Sequence, residues 1–248
     1  MLGVLSDVGN VRKINEDSVG YLESSDYDIY IVADGMGGHN AGEVASDIAI
    51  KVIMEYIKNN HKGKELKKVL SEGIKSANKE IYDMASQNDS LKGMGTTITI
   101  CIRKQNEMVV ANVGDSSCYI IDSKRELVKV TRDHSLVQQL LDNGTITEEK
   151  ARNHPNKNII TRALGTNELV EVDLFDLDLT NVIKCILCTD GLTNDVTYSE
   201  MYDIIVENDN ATSCKMLVDL SKFNGGRDNI SVIVFEGECR DDRNHIRE

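Results

Sequence analysis

What most limits the possible folds is where the apolar periodicity changes along the chain. Ala45, Ile48, Ala49, Val52, Ile53, Tyr56 and Ile57 recur at helical spacing, as do Leu66, Val69, Leu70, Ile74, Ala77, Ile81 and Met84. A polar turn over 59–63 joins these two amphipathic helices, and a second helical pair is expected at 198–207 and 211–223. Elsewhere the pattern is that of strands. Ile98, Ile100 and Ile102 alternate with Thr97, Thr99 and Cys101, and 18–22, 29–33, 108–113, 118–121, 127–130, 183–188 and 230–235 are short runs. Most are rich in β-branched residues and bounded by Gly, Asp or Asn. Strands gathered between helical pairs, instead of alternating with them one for one, favour antiparallel sheets with helices outside over a doubly wound α/β fold.

A single proline and no Ser/Gly-rich stretch leave no linker, so one domain over 1–240 with a polar tail at 241–248 is expected. The 28 Lys and Arg against 41 Asp and Glu give a net charge of −13, which repels the phosphates that dominate nucleic-acid affinity. The densest basic stretch, 62–68, also carries Glu65 and reads as solvated charge. No apolar run approaches the ~20 residues needed to span a bilayer, and the first residues lack a basic segment followed by a long apolar one. A cytoplasmic, monomeric protein without nucleic-acid or membrane partners is expected. Six scattered cysteines in a chain of 248 residues suit reduced thiols. Cys185 and Cys188 form a lone CxxC in a strand, where an offset of three points the two sulfurs to opposite faces, so they read as core residues and not as a zinc site.

The acidic residues matter for their places on the strands. Asp34 and Asp190 follow the runs 29–33 and 183–188, whereas Glu16, Asp17 and Asp228 precede 18–22 and 230–235. In antiparallel sheets the end of one strand lies beside the start of its neighbour, so these carboxylates crowd one edge, and Asp115 in the break at 114–116 can join them. Such crowding costs several kcal/mol or keeps some groups protonated unless cations intervene. Donors that are all oxygen, with no His or Cys, select hard cations such as Mg²⁺ or Mn²⁺. Glycines beside the acids, in Asp34-Gly35-Met36-Gly37-Gly38 and Asp190-Gly191, let the backbone turn sharply, although one Asp-Gly pair alone marks only a turn.

Arg12-Lys13-Ile14-Asn15-Glu16-Asp17, Ala33-Asp34-Gly35-Met36-Gly37-Gly38-His39, Gly93-Met94-Gly95-Thr96-Thr97, Asn112-Val113-Gly114-Asp115-Ser116, Asp133-His134-Ser135, Thr161-Arg162-Ala163-Leu164-Gly165, Cys188-Thr189-Asp190-Gly191-Leu192 and Arg227-Asp228-Asn229-Ile230 follow one another along the chain. In these motifs and their order the sequence resembles the PP2C-type, metal-dependent Ser/Thr protein phosphatases, and most closely their short bacterial members, over about 6–235. The resemblance implies an α+β fold, an αββα sandwich of two antiparallel sheets each covered by a helical pair. It implies a two-metal centre of Mn²⁺ or Mg²⁺ in which Asp34 bridges the ions, the Gly35 carbonyl and Glu16 hold one, and Asp190 and Asp228 hold the other. Asp17 would act through water, and Asp115 with Asp190 would take a third, weaker ion. Arg12 matches the arginine that grips the substrate phosphate, for which its planar fork suits two oxygens. The reaction implied is hydrolysis of phosphoserine and phosphothreonine by an activated water without a phosphoenzyme. None of the six cysteines has the Arg six residues later that a cysteine phosphatase needs. Partners implied are phosphorylated proteins, including a eukaryote-type Ser/Thr kinase and its substrates.

Two positions depart from the family pattern. Met36 stands where animal relatives place a histidine, leaving His39 or a water as the candidate general acid, and Ser117 replaces the Arg that commonly follows Gly-Asp-Ser. The segment 136–158 matches the variable flap beside the site. Asp176-Leu177-Asp178-Leu179-Thr180 fits the DxDxT pattern of aspartyl-phosphate enzymes, but too few residues follow it and its alternation is that of a half-exposed strand. A catalytically silent, phosphoprotein-binding relative is the alternative, and the retention of Asp34, Asp190 and Asp228 gives it no support.

Overall fold

The structure is a computed structural model and describes residues 2–38, 41–152 and 154–239. In chain order the strands are β1 (Gly3–Asp7), β2 (Asp17–Glu23), β3 (Asp28–Met36), β4 (Gly95–Thr96), β5 (Ile98–Lys104), β6 (Glu107–Val113), β7 (Ser117–Asp122), β8 (Leu127–Lys129), β9 (Asp173–Asp178), β10 (Val182–Cys188) and β11 (Ile230–Glu236). The α-helices are α1 (Ala41–Asn60), α2 (Leu66–Gln87), α3 (Leu136–Asp142), α4 (Glu148–Arg152), α5 (Asp190–Thr193), α6 (Tyr198–Glu207) and α7 (Asn210–Asn224). One sheet runs β1-β11-β10-β7-β8; the other runs β2-β3-β5-β6-β9, with β4 pairing β3. The strand pairings in both sheets are antiparallel.

Three apolar clusters define four layers, the expected αββα sandwich. Ile29, Ile31 and Ala33 of β3 pack with Ala45, Ala49, Ile53, Leu70 and Ile74 of α1 and α2. Tyr30 and Val32 of the same strand point the other way and meet Cys185, Leu187, Ile233 and Phe235 of the second sheet. Tyr30 stacks on Phe235 at 3.8 Å between ring centroids. The outer face of that second sheet carries Ile186, Cys188, Val232 and Val234, covered by Met201 and Ile205 of α6 and Leu217 and Val218 of α7. Cys185 and Cys188 thus fall in different clusters, as the odd offset along β10 requires. Because both sheets are covered on both faces, β3 and β11 read as almost unbroken apolar runs.

Local chemistry sets the helix ends. Thr197 and Glu200 form a capping box at α6, and Asp209 accepts the Ala211 and Thr212 N–H groups at the start of α7. At the start of the flap segment, Ser135 caps α3. No helix among the described residues is long and apolar enough to cross a membrane. The tail expected at 241–248 lies outside the described residues.

Candidate active site

The antiparallel register brings the strand-end carboxylates together. Asp17, the first residue of β2, is paired directly with Asp34 near the end of β3. In the other sheet Cys188 pairs with Val232 and with Ser117, which brings Asp190, Asp228 and Asp115 to one end of three adjacent strands. Asp115 lies in the crossover from β6 in one sheet to β7 in the other, so the cluster straddles the gap between the sheets.

These acids perturb one another strongly. Burial pushes the Asp34 carboxyl well above the usual range, and the charges of Asp17, Asp190, Asp115 and Asp228 push it further. Asp190 rises through burial and the Asp228 charge, opposed by hydrogen bonds with Asp34 and from Asn194 Nδ2 at 3.0 Å. Burial also raises Asp115 and Glu16. Asp17 is pushed up to about 7 by burial, against the Ser231 and Thr189 hydroxyls that donate to its Oδ2 at 2.7 and 2.8 Å.

Among the described residues four buried carboxylate oxygens have no hydrogen-bond partner: Glu16 Oε1, Asp17 Oδ1, Asp115 Oδ1 and Asp190 Oδ1. A buried carboxylate oxygen without a donor costs roughly 1–3 kcal/mol or more. All four are hard oxygens, the donor type that divalent cations take.

The glycines are required by close approach. A Cβ at Gly35 would overlap the carbonyl oxygen of Gly42 and come within 2.5 Å of that of Glu16, and one at Gly42 would meet Glu16 Oε1 at 2.5 Å. A side chain at either position would push the start of α1 away from the end of β3. Gly35 N–H donates to the Glu16 carbonyl at 3.1 Å, which fixes the Glu16 backbone beside the cluster.

Arg12, on the loop between β1 and β2, donates from Nη2 to Asp228 Oδ2 at 2.9 Å, while Glu16 lies 4.0 Å from Nη1. Asp228 is therefore its main partner. His39 lies outside the described residues. The turn at 114–116 is anchored without the family's arginine at 117: Gly114 N–H donates to His134 Nδ1 at 3.0 Å, and His134 N–H donates to the Gly114 carbonyl at 2.9 Å. That histidine in turn faces Asp173 and Arg162 from Nε2, at 3.1 and 3.0 Å. The DxDxT segment is elsewhere: Asp176 is an exposed partner of Lys67 on the edge strand β9, and Asp178 caps the turn at Thr180.

Thr189, Ser231 and Ser6 are the members the motifs do not assign. Ser6 Oγ bonds Ser231 Oγ at 2.8 Å, which extends the hydroxyl chain under Asp17 across β1 and β11. Their signal in the sequence is a hydroxyl inside or directly after an apolar strand.

Comparison with known proteins identifies the class to which this sandwich, with acids crowded between its sheet ends, belongs. The Protein phosphatase 2C family model matches residues 10–215. The chain belongs to that family and so to the protein serine/threonine phosphatases. It is 43% identical over 237 residues to "Serine/threonine phosphatase stp" of Listeria monocytogenes, covering 93% of each chain. A crystal structure of a bacterial serine phosphatase superimposes with a TM-score of 0.90 at 34% identity, covering 97% of this chain and 98% of that one. The catalytic domain of the serine/threonine protein phosphatase PstP, solved with two manganese ions, superimposes at 0.80 and 32% identity, covering 94% and 96%.

Proposed function

We propose that the chain hydrolyses phosphoserine and phosphothreonine monoesters on proteins, at a two-metal centre held by the carboxylate cluster. The observation that carries this reading is the convergence of buried, partnerless carboxylate oxygens around Asp34. The two manganese ions of the PstP catalytic domain support Mn²⁺ as the occupant, with Mg²⁺ as the alternative hard cation. Asp34, the Gly35 carbonyl, Glu16, Asp190 and Asp228 would hold the two ions, with Asp17 behind them and Asp115 beside Asp190 for a third.

When bound, such ions supply an activated water and neutralise charge on the phosphoryl group. The chain's own residues orient the substrate. Arg12 brings a planar, permanently charged fork to the rim of the cluster, suited to two phosphate oxygens. Thr189 and Ser231 hold Asp17, Asn194 holds Asp190, and the His134 contact holds the Asp115 turn, so the donors are fixed before substrate arrives. Its partners would be phosphorylated proteins, among them a eukaryote-type Ser/Thr kinase and that kinase's substrates.

The test is phosphate release from a phosphothreonine peptide with MnCl₂, MgCl₂ or EDTA, for the wild type and Asp190→Ala. Release that requires metal and is lost in a folded Asp190→Ala variant is expected. Peptide bound without release under every metal would replace this reading with a silent phosphoprotein-binding module.

A further inference from the structure

The loop carrying Arg12 is not held by apolar packing, since Val11 and Ile14 are 65% and 40% exposed. Asparagine side chains hold it instead. Asn229, buried immediately before β11, donates from Nδ2 to the carbonyls of Val8 and Ile14, both at 3.0 Å, and accepts the Glu16 N–H at Oδ1 at 2.8 Å. It therefore spans the loop on both sides of Arg12. These bonds use both amide protons and the amide oxygen, which aspartate, of the same shape, cannot reproduce because it has no donor. The Asn229 backbone N–H also donates to Asp228 Oδ1 at 2.9 Å, on the carboxylate whose other oxygen holds Arg12. A second tie lies beside Arg12: Asn10 Nδ2 donates to the Lys222 and Gly225 carbonyls at 2.6 and 3.1 Å, and Asn10 N–H to the Gly226 carbonyl at 2.7 Å. This fastens the loop to the C-terminal end of α7.

We propose that Asn229 is a positioning residue for phosphate recognition, holding the 8–16 loop so that the Arg12 guanidinium stands at the carboxylate cluster, with Asn10 as its second tie. The proposal rests on the reading of Arg12 as the residue that grips the substrate phosphate. A long, half-exposed arginine on an untied loop would pay for ordering at each binding event, and the two asparagines fix its backbone beforehand.

The experiment compares wild type, Asn229→Asp, Asn10→Ala, Arg12→Ala and the Arg12→Ala/Asn229→Asp double variant. KM and kcat for a phosphothreonine peptide, Ki for inorganic phosphate and the Mn²⁺ concentration for half-maximal rate are measured. Amide hydrogen exchange over 9–15 is followed in parallel. Loss of two hydrogen bonds in Asn229→Asp is expected to raise KM and Ki about tenfold with kcat nearly unchanged. Asn10→Ala, which leaves the neighbourhood of Asp228 intact, should do the same to a smaller extent. Both should speed exchange over 9–15, and Asn229→Asp should add nothing in the Arg12→Ala background. The proposal is overturned if Asn229→Asp lowers kcat or raises the Mn²⁺ requirement while KM and Ki stay put. It is also overturned if its effect adds fully to that of Arg12→Ala, or if Asn10→Ala leaves KM, Ki and exchange unchanged. A wild type that releases no phosphate defeats the functional reading instead, and the exchange data still decide whether the asparagines order the loop.

Discussion

Asp17 offers a direct measure of what the carboxylate cluster costs the fold. Its carboxyl stands at about 7 against 3.8 for the free group, because burial removes it from water faster than Ser231 and Thr189 can compensate. At about 1.4 kcal/mol per pH unit of difference, ionising it in the folded state costs about 4 kcal/mol. The folded state keeps a proton that the unfolded chain has released, so stability falls as pH rises from about 4 to about 7 and is level above that. Asp17→Asn removes the ionisation while its amide oxygen keeps the two hydroxyl donors. In EDTA the variant should match wild type near pH 4 and exceed it by about 4 kcal/mol at pH 8, read from urea unfolding at each pH. Taking the difference between the two proteins cancels the groups that do not feel the Asp17 charge, and relief of Asp34, which does, adds to the gap in the same direction. Added Mn²⁺ should stabilise wild type more than the variant and shrink the gap. A difference that stays flat from pH 4 to 8, or a variant less stable than wild type at pH 8 in EDTA, would refute the account of Asp17 as a strained acid.

Gly35→Ala places a Cβ against the Gly42 and Glu16 carbonyls and should destabilise the fold by about 1–3 kcal/mol in urea unfolding, with weaker Mn²⁺ binding by calorimetry. Five of the six cysteines are buried and Cys239 is half-buried, so Ellman's reagent should titrate one thiol per native chain and six after denaturation. Burial lowers the His134 imidazole from its usual value, and the Gly114 N–H on Nδ1 places the proton on Nε2. Nitrogen-15 spectra should therefore show that neutral tautomer persisting at pH 6, and His134→Ala should loosen exchange at 114–116.

The carboxylate cluster was legible in the sequence because it follows from two local facts, acids at strand ends and antiparallel pairing. The Asp17–Asp34 register is that inference made concrete. The helical pairs were legible for a similar reason: Thr197 and the 3.6-residue stripe it opens lie within ten residues of each other. What stayed hidden is what depends on distant segments. Strand β1 is a short edge strand at one end of the chain, paired only with β11 from the other end, and α3 and α4 are too short to show a helical period. Because β3, β10 and β11 are buried on both faces, their sequences do not say which face meets a helix and which meets the other sheet. The half-exposed β9 announces its faces through Asp176 and Asp178, as β5 does through Ile98, Ile100 and Ile102.

The hidden hydroxyls explain how the site is compatible with a stable domain. Ser231 and Thr189 reach Asp17 from 214 and 172 residues away, so a hydroxyl in or after an apolar strand does not say which acid it serves, yet they are the donors its Oδ2 has. Ser231 lies in β11 and Thr189 directly follows β10, both of the sheet opposite to that of Asp17, so each bond also ties the two sheets together at the end where the carboxylates repel. Beyond them, toward the other end of the sandwich, the interior is apolar, with Tyr30 stacked on Phe235. The electrostatic cost is thus confined to one end and offset by packing between the sheets, where about 25 cal/mol per Å² of buried apolar surface opposes it. On this reasoning Ser231→Ala, which keeps the strand but removes a donor, should raise the Asp17 carboxyl further and carry the fall of stability on to higher pH before it levels. A fall that levels at the same pH as in wild type would mean that Thr189 alone holds the acid.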